Sequence, residues 1–192
     1  MALPQPDQKM TETEYLEFER ESDIRHEFVN GDIIAMTGGS WNHTLIIANT
    51  NRALGNQLEG KDCEAVTGEI RIHVDSAKAY RYPDGMVVCG EPKFLEDDNN
   101  ILINPTVLIE VLSPSTASID RIQKLDEYLK ILDLDEYLII SQDAPNIMQY
   151  VRQADSIWRY RQVSGLETSL DLPSIGCTLT LAEVYRKVTF SE

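Results

Sequence analysis

The sequence predicts a mixed α/β domain, a central β-sheet with helices packed on it. Three observations carry this. Capping signatures open helices near both ends of the chain, at Thr11 and Thr180. Alternating and continuous apolar runs of strand length fill the middle. An apolar helical face directly follows the most hydrophobic of those runs. At 192 residues the chain suits one domain, residues 1–192, that buries roughly 70% of its unfolded surface. Residues 1–10 read as a loose polar lead-in.

Each element follows from local chemistry. Thr11-Glu-Thr-Glu14 is a capping box for a helix to about Arg20. Arg25 to Val29 and Asp32 to Met36 flank Asn30-Gly31, a type I′ turn pair, and so read as a hairpin. Ser40 or Asn42 caps a helix to about Leu58, with Leu45, Ile46, Ala48, Ala53, Leu54 and Leu58 on its apolar face and Gly60 ending it. Ile70, Ile72 and Val74 alternate with Glu69, Arg71 and His73, the pattern of a half-exposed strand. Tyr80 to Cys89 reads as one strand, Glu91 to Asn104 as an acidic loop, and Thr106 to Leu112 as a buried strand closed by Pro114. A helix is expected from about Ala117 to Leu132, burying Ile119, Ile122, Leu125, Tyr128, Leu129 and Leu132. Glu136 to Ser141 is a further buried strand. Ile147 to Arg152 and Ile157 to Val163 form a terminal antiparallel pair, and Thr180 with Glu183 caps a last short helix.

Composition sets limits. Seventeen Lys and Arg against 32 Asp and Glu give a net charge of −15, the opposite of the basic surface usual in nucleic-acid binders. An acidic chain still binds nucleic acid where its cations gather on one face and a divalent ion neutralises the site. Cys63, Cys89 and Cys177 are far apart and odd in number, which argues against a disulfide framework and a CxxC metal site and favours a reducing cytoplasm. No run is long and apolar enough to span a membrane, and the first residues lack signal-peptide character.

Two carboxylates stand out. Glu110 interrupts Val107-Leu-Ile-Glu-Val-Leu112, a strand apolar on both faces, and a buried carboxylate needs a cation or dense hydrogen bonding. A salt bridge to Arg or Lys, or an edge position, would also satisfy it. Asp84, after Pro83, is by itself ordinary turn chemistry. If its strand neighbours that of Glu110, the pair offers hard oxygen ligands for Mg²⁺ or Mn²⁺, suited to activating water against a phosphodiester. Lys124, four residues after Asp120 on the following helix, reads first as a surface ion pair, and Glu27 as an exposed strand residue. His43 and His73 lack metal-ligand spacing. Ser113-Pro-Ser-Thr116 is no nucleophile elbow, and no Gly-rich phosphate loop occurs.

Tyr-Pro-Asp84-Gly-Met-Val-Val, then Ile109-Glu-Val-Leu-Ser-Pro-Ser-Thr116, then Asp120-Arg-Ile-Gln-Lys124 with Tyr128, together resemble the Uma family. These are restriction-endonuclease-like proteins of the PD-(D/E)XK nuclease superfamily. The resemblance runs from about Thr11 to Tyr160 and includes the His26 to Asp32 hairpin and the helix holding His43. It implies a restriction-endonuclease-like core and a metal-dependent endonuclease acting on DNA as a homodimer. Asp84 and Glu110 would be the acidic metal ligands, joined by the backbone carbonyl of Val111 and by Glu27, with Mg²⁺ or Mn²⁺ bound. The superfamily lysine two residues after the second acid is replaced by Leu112; its counterpart here is Lys124. Gly85 stands where the family usually carries a branched residue. The competing expectation, which −15 and Leu112 favour, is a non-catalytic binding or interaction module on the same fold.

Overall fold

In the computed structural model, residues 9–95, 98–112, 120–154 and 157–190 are described. They form two six-stranded sheets, a two-stranded hairpin and a few helices. The predicted α/β class holds, with two sheets rather than one at the centre. The first sheet runs, in spatial order, Asp32–Ala35, His26–Val29, Ala79–Arg81, Arg71–Val74, Asp98–Leu102 and Phe94–Leu95, and the second Trp158–Ser164, Asn146–Arg152, Glu136–Ser141, Val107–Leu112, Gly85–Cys89 and Cys63–Thr67.

Helix α1 (Glu12–Glu21) opens on the expected reciprocal capping box between Thr11 and Glu14. Strands β1 (His26–Val29) and β2 (Asp32–Ala35) pair across Asn30-Gly31, both at positive φ as a type I′ turn requires. Helix α2 (Trp41–Leu58) is capped by Ser40, whose hydroxyl accepts from the His43 backbone. Strands β4 (Arg71–Val74) and β5 (Ala79–Arg81) then pair with each other, and β5 pairs with β1. Strand β4 is more buried than alternation implied, since Arg71 is enclosed with the apolar residues.

The segment expected as one strand from Tyr80 to Cys89 is split. Strand β5 ends at Arg81, and β6 (Gly85–Cys89) begins in the second sheet. Pro83 has no N–H to offer a ladder, so the chain leaves the first sheet at this point and enters the second. Strand β6 lies between β3 (Cys63–Thr67) and β9 (Val107–Leu112), and β9 pairs in parallel with β10 (Glu136–Ser141). The antiparallel pair β11 (Asn146–Arg152) and β12 (Trp158–Ser164) completes this sheet.

Further elements depart from expectation. The acidic 91–104 stretch contributes β7 (Phe94–Leu95) and β8 (Asp98–Leu102); buried Ile101 and Leu102 let β8 dock parallel to β4. Strands β13 (Ser169–Leu172) and β14 (Cys177–Thr180) follow the pair expected to be terminal, before α4 (Leu181–Val184). A disulfide joins Cys63 to Cys89, where chain spacing argued against a bridge: the two residues are direct cross-strand partners on β3 and β6. Among the described residues no helix is long and apolar enough to cross a membrane.

Strand β9 is buried along its whole length. Val107, Ile109 and Val111 face α2 and the C-terminal hairpin; Leu108 and Leu112 face Ile72, Val74 and Tyr128. Each such aliphatic contributes roughly 1.5–3 kcal/mol over an exposed one. That packing holds Glu110 rigidly in the middle of the molecule.

Candidate active site

The register of β6 and β9 brings Asp84 and Glu110 together. Gly85 pairs with Ile109 in the antiparallel ladder, so the next residue outward on each strand is Asp84 on one side and Glu110 on the other. Asp84 Oδ2 accepts a 2.7 Å hydrogen bond from the Val111 N–H, which ties its carboxylate to the strand that carries Glu110. The approach depends on a glycine: a Cβ on Gly68 would lie 2.1 Å from the Pro83 carbonyl oxygen, one residue before Asp84.

Glu110 is 5% exposed. Its Oε1 accepts from Lys124 Nζ at 3.1 Å and from the Tyr128 hydroxyl at 2.8 Å. Burial, only partly offset by Lys124 and reinforced by the negative charge of Asp84, pushes its pKa up to about 8.

Lys124 is not a surface residue. It ends a π-helical turn, Asp120–Lys124, that passes directly into the short helix α3 (Leu125–Tyr128). The wider turn breaks the 3.6-residue register assumed in the sequence reading. Lys124 consequently points inward beside Tyr128, which is buried as expected, whereas Ile122, expected in the core, is 76% exposed; the helix stops at Tyr128, so Leu132, also expected in the core, lies beyond it and is 90% exposed. Ile119, the start of the expected helix, Ser113 to Thr116 and Pro114 lie outside the described residues, as does the Asp120 side chain.

Glu27 corrects the expectation of an exposed strand residue. It is buried rather than exposed, and its oxygens are held by cations: Oε1 by Lys124 at 3.1 Å and Oε2 by Arg81 at 2.7 Å. It therefore belongs to the Lys124 side of the site, with each oxygen engaged by a cation. Burial opposes its charge, but Lys124 and Arg81 outweigh that and hold its pKa below the ordinary value.

Three participants escaped the sequence reading. Arg81 and Glu127 form a buried two-pronged pair, with Nε and Nη2 each 2.9 Å from a Glu127 oxygen. His43, set aside for lack of ligand spacing, places Nε2 3.2 Å from Asp84 Oδ2. Burial disfavours a charged His43 ring, yet the Asp84 hydrogen bond and charge, the Glu110 charge and the Val111 backbone together raise its pKa. Its seat needs Gly39, where a Cβ would stand 2.6 Å from Nδ1. No linear motif announces His43; the available signal was its place in the first turn of a capped helix that packs over the strand of Glu110.

A divalent cation such as Mg²⁺ calls for hard oxygen donors. No ready cluster of three acidic, His or Cys ligands exists among the described residues. Asp84, Glu110 and the Val111 carbonyl supply oxygen donors only, which suits an ion that keeps several waters. The Glu110 carboxyl is desolvated and lacks enough positive charge nearby to stay ionised, and His43 already leans a cation-forming ring into the space beside Asp84. Both features fit a site that attracts positive charge.

Comparison with known proteins agrees with this architecture. Residues 12–182 match the Uma2 family, described as "Putative restriction endonuclease". The chain is 32% identical over 162 residues to "Uncharacterized protein sll1609" of Synechocystis sp., covering 84% of this chain and 92% of that one. It is 32% identical over 185 residues to "Uncharacterized protein slr1290" of the same organism, covering 96% of each. Its fold resembles the crystal structure of "a putative nuclease belonging to DUF820" from Anabaena variabilis, with a TM-score of 0.75, 20% identity, and coverage of 92% of this chain and 97% of that one.

Proposed function

Because the chain belongs to the Uma2 family of restriction-endonuclease-like proteins, we propose that it is a Mg²⁺- or Mn²⁺-dependent endonuclease that hydrolyses phosphodiester bonds in DNA. The observation that carries this is the meeting of Asp84 and Glu110 at one end of β6 and β9, with Lys124 Nζ 3.1 Å from Glu110. Asp84, Glu110 and the Val111 carbonyl are the groups that would hold the ion. When bound, it supplies Lewis-acid stabilisation of charge on phosphate and a lowered pKa for water.

The chain's own residues do the rest. The Val111 N–H and His43 fix the orientation of the Asp84 carboxylate. The Tyr128 hydroxyl and Lys124 hold the Glu110 carboxyl on one oxygen. Lys124 carries a positive charge beside the reacting phosphate, where it steadies the charge that develops as the ester bond breaks. The buried surroundings strengthen each of these interactions. The family resemblance supports a homodimer, and light scattering on the purified protein checks it.

The test uses purified protein with plasmid DNA and Mn²⁺ or Mg²⁺, alongside Asp84→Ala and Glu110→Ala. Wild type should cut, and each variant should lose at least a hundredfold in rate while remaining folded by circular dichroism. Cleavage that survives both substitutions rejects the assignment. The −15 charge and Leu112 favour a second reading, a non-catalytic interaction module on the same fold; it predicts no metal-dependent cutting of DNA or RNA.

A further inference from the structure

We propose that Arg81 is a positioning residue for Lys124, acting through Glu27; the activity part of this rests on the nuclease reading above. Lysine is a flexible point charge, so a catalytic ammonium must be held from more than one side. Here the holding groups close into a ring. Lys124 Nζ donates to Glu27 Oε1 at 3.1 Å, Glu27 Oε2 accepts from Arg81 Nη1 at 2.7 Å, and Arg81 forks onto both oxygens of Glu127. Glu127 lies three residues beyond Lys124, on the same face of the helical segment, which returns the ring to its start.

The other two corners are equally fixed. Phe28 pairs with Tyr80 in the β1–β5 ladder, so the next step outward sets Glu27 opposite Arg81. The Tyr82 N–H adds a longer bond to Glu27 Oε1 at 3.4 Å. All four side chains are at most 9% exposed.

Two acids and two bases make the ring neutral in itself. Lys124 is thus shared between Glu27 and Glu110, and Glu110 is left without a full counter-charge of its own. Removal of Arg81 would set two buried carboxylates against one ammonium. Lys124 would then be drawn toward Glu27 and away from Glu110. The superfamily places its lysine on the strand, where the backbone positions it; with Leu112 at that point, the ring performs that positioning for a lysine carried by a helix.

The experiment compares wild type with Arg81→Lys, Arg81→Met, and Arg81→Met combined with Glu127→Leu, which removes the pair while keeping volume and charge balance. Thermal melting identifies the variants that fold, and the double variant is the one expected to regain a wild-type melting temperature. Mn²⁺ binding by calorimetry, in each folded variant, should stay within threefold of wild type. Acetylation of Lys124, followed by mass spectrometry with exposed Lys130 as internal reference, should rise at least fivefold in the double variant. In DNA cleavage, kcat should fall at least tenfold with KM unchanged, and Arg81→Lys should recover part of it. A stable double variant with wild-type Lys124 labelling overturns the proposal, as does a loss that falls on Mn²⁺ affinity. Wild-type protein that cuts nothing rejects the nuclease reading alone, and the labelling then decides the role of Arg81.

Discussion

Glu110 carries a pH signature that separates a site carboxylate from an ordinary buried one. Its folded pKa is about 8 against 4.5 for the free group. Between those values the folded, metal-free protein retains a proton that the unfolded chain has released. The stabilisation is complete below about 4.5, decreases as pH rises, and is gone above about 8. Thermal melts in chelator should therefore show stability falling across this window, and Glu110→Gln should flatten that part of the slope. A bound divalent cation favours the carboxylate, so Mn²⁺ should raise the melting temperature more at the upper end of the window than at the lower. An unchanged slope in the Gln variant would refute the assignment of the proton to Glu110. At this scale the sequence was informative about Glu110, because a charge inside Val-Leu-Ile-Glu-Val-Leu has few physical explanations. It was silent about Arg81 and Glu127, whose meeting depends on a strand and a helix 46 residues apart in the chain.

Among the elements, the turn before α3 decides the most. Read at 3.6 residues per turn, the segment places Ile122 and Leu132 in the core; the π-helical turn instead leaves Ile122 outside and brings Lys124 in, and the helix ends at Tyr128, before Leu132. Lysine substitutions at Ile122 and Leu132 should each change unfolding free energy by under about 0.5 kcal/mol, the range of surface sites, whereas a regular helix would lose several times that. Urea titration distinguishes the two. Strong local signals were legible: the Thr11 and Thr180 boxes, the Asn30-Gly31 turn and the β9 run all stand where expected. Elements fixed by distant partners were not. Strand β8 lies in an acidic stretch and is held by β4, and β3 is held by β6. The Tyr80 to Cys89 run was one strand in hydropathy and two in space, because periodicity does not record which sheet a strand joins.

The whole molecule sets an unusual condition on DNA binding. With a charge of −15 it repels a polyanion at long range, so contact depends on a neutralised site more than on a basic face. DNA binding by Lys124→Ala, which keeps both acidic ligands, should weaken at least tenfold when the divalent ion is chelated. Fluorescence anisotropy measures this directly, and binding indifferent to chelator would place the contact elsewhere. Fold class was readable from the order of the elements, yet their division into two sheets was not, since both sheets share the same alternating and continuous apolar runs.

The ring of Glu27, Arg81, Glu127 and Lys124 straddles the junction of those two sheets. Glu27 and Arg81 belong to the first; Lys124 reaches from the ring to Glu110 at the centre of the second. Any motion that parts the sheets must expose several charges at once, so such openings are suppressed while local fraying is not. In amide hydrogen exchange, β5 and β9 should then open as one cooperative unit in the intact protein, and as two separate units once Arg81 is replaced.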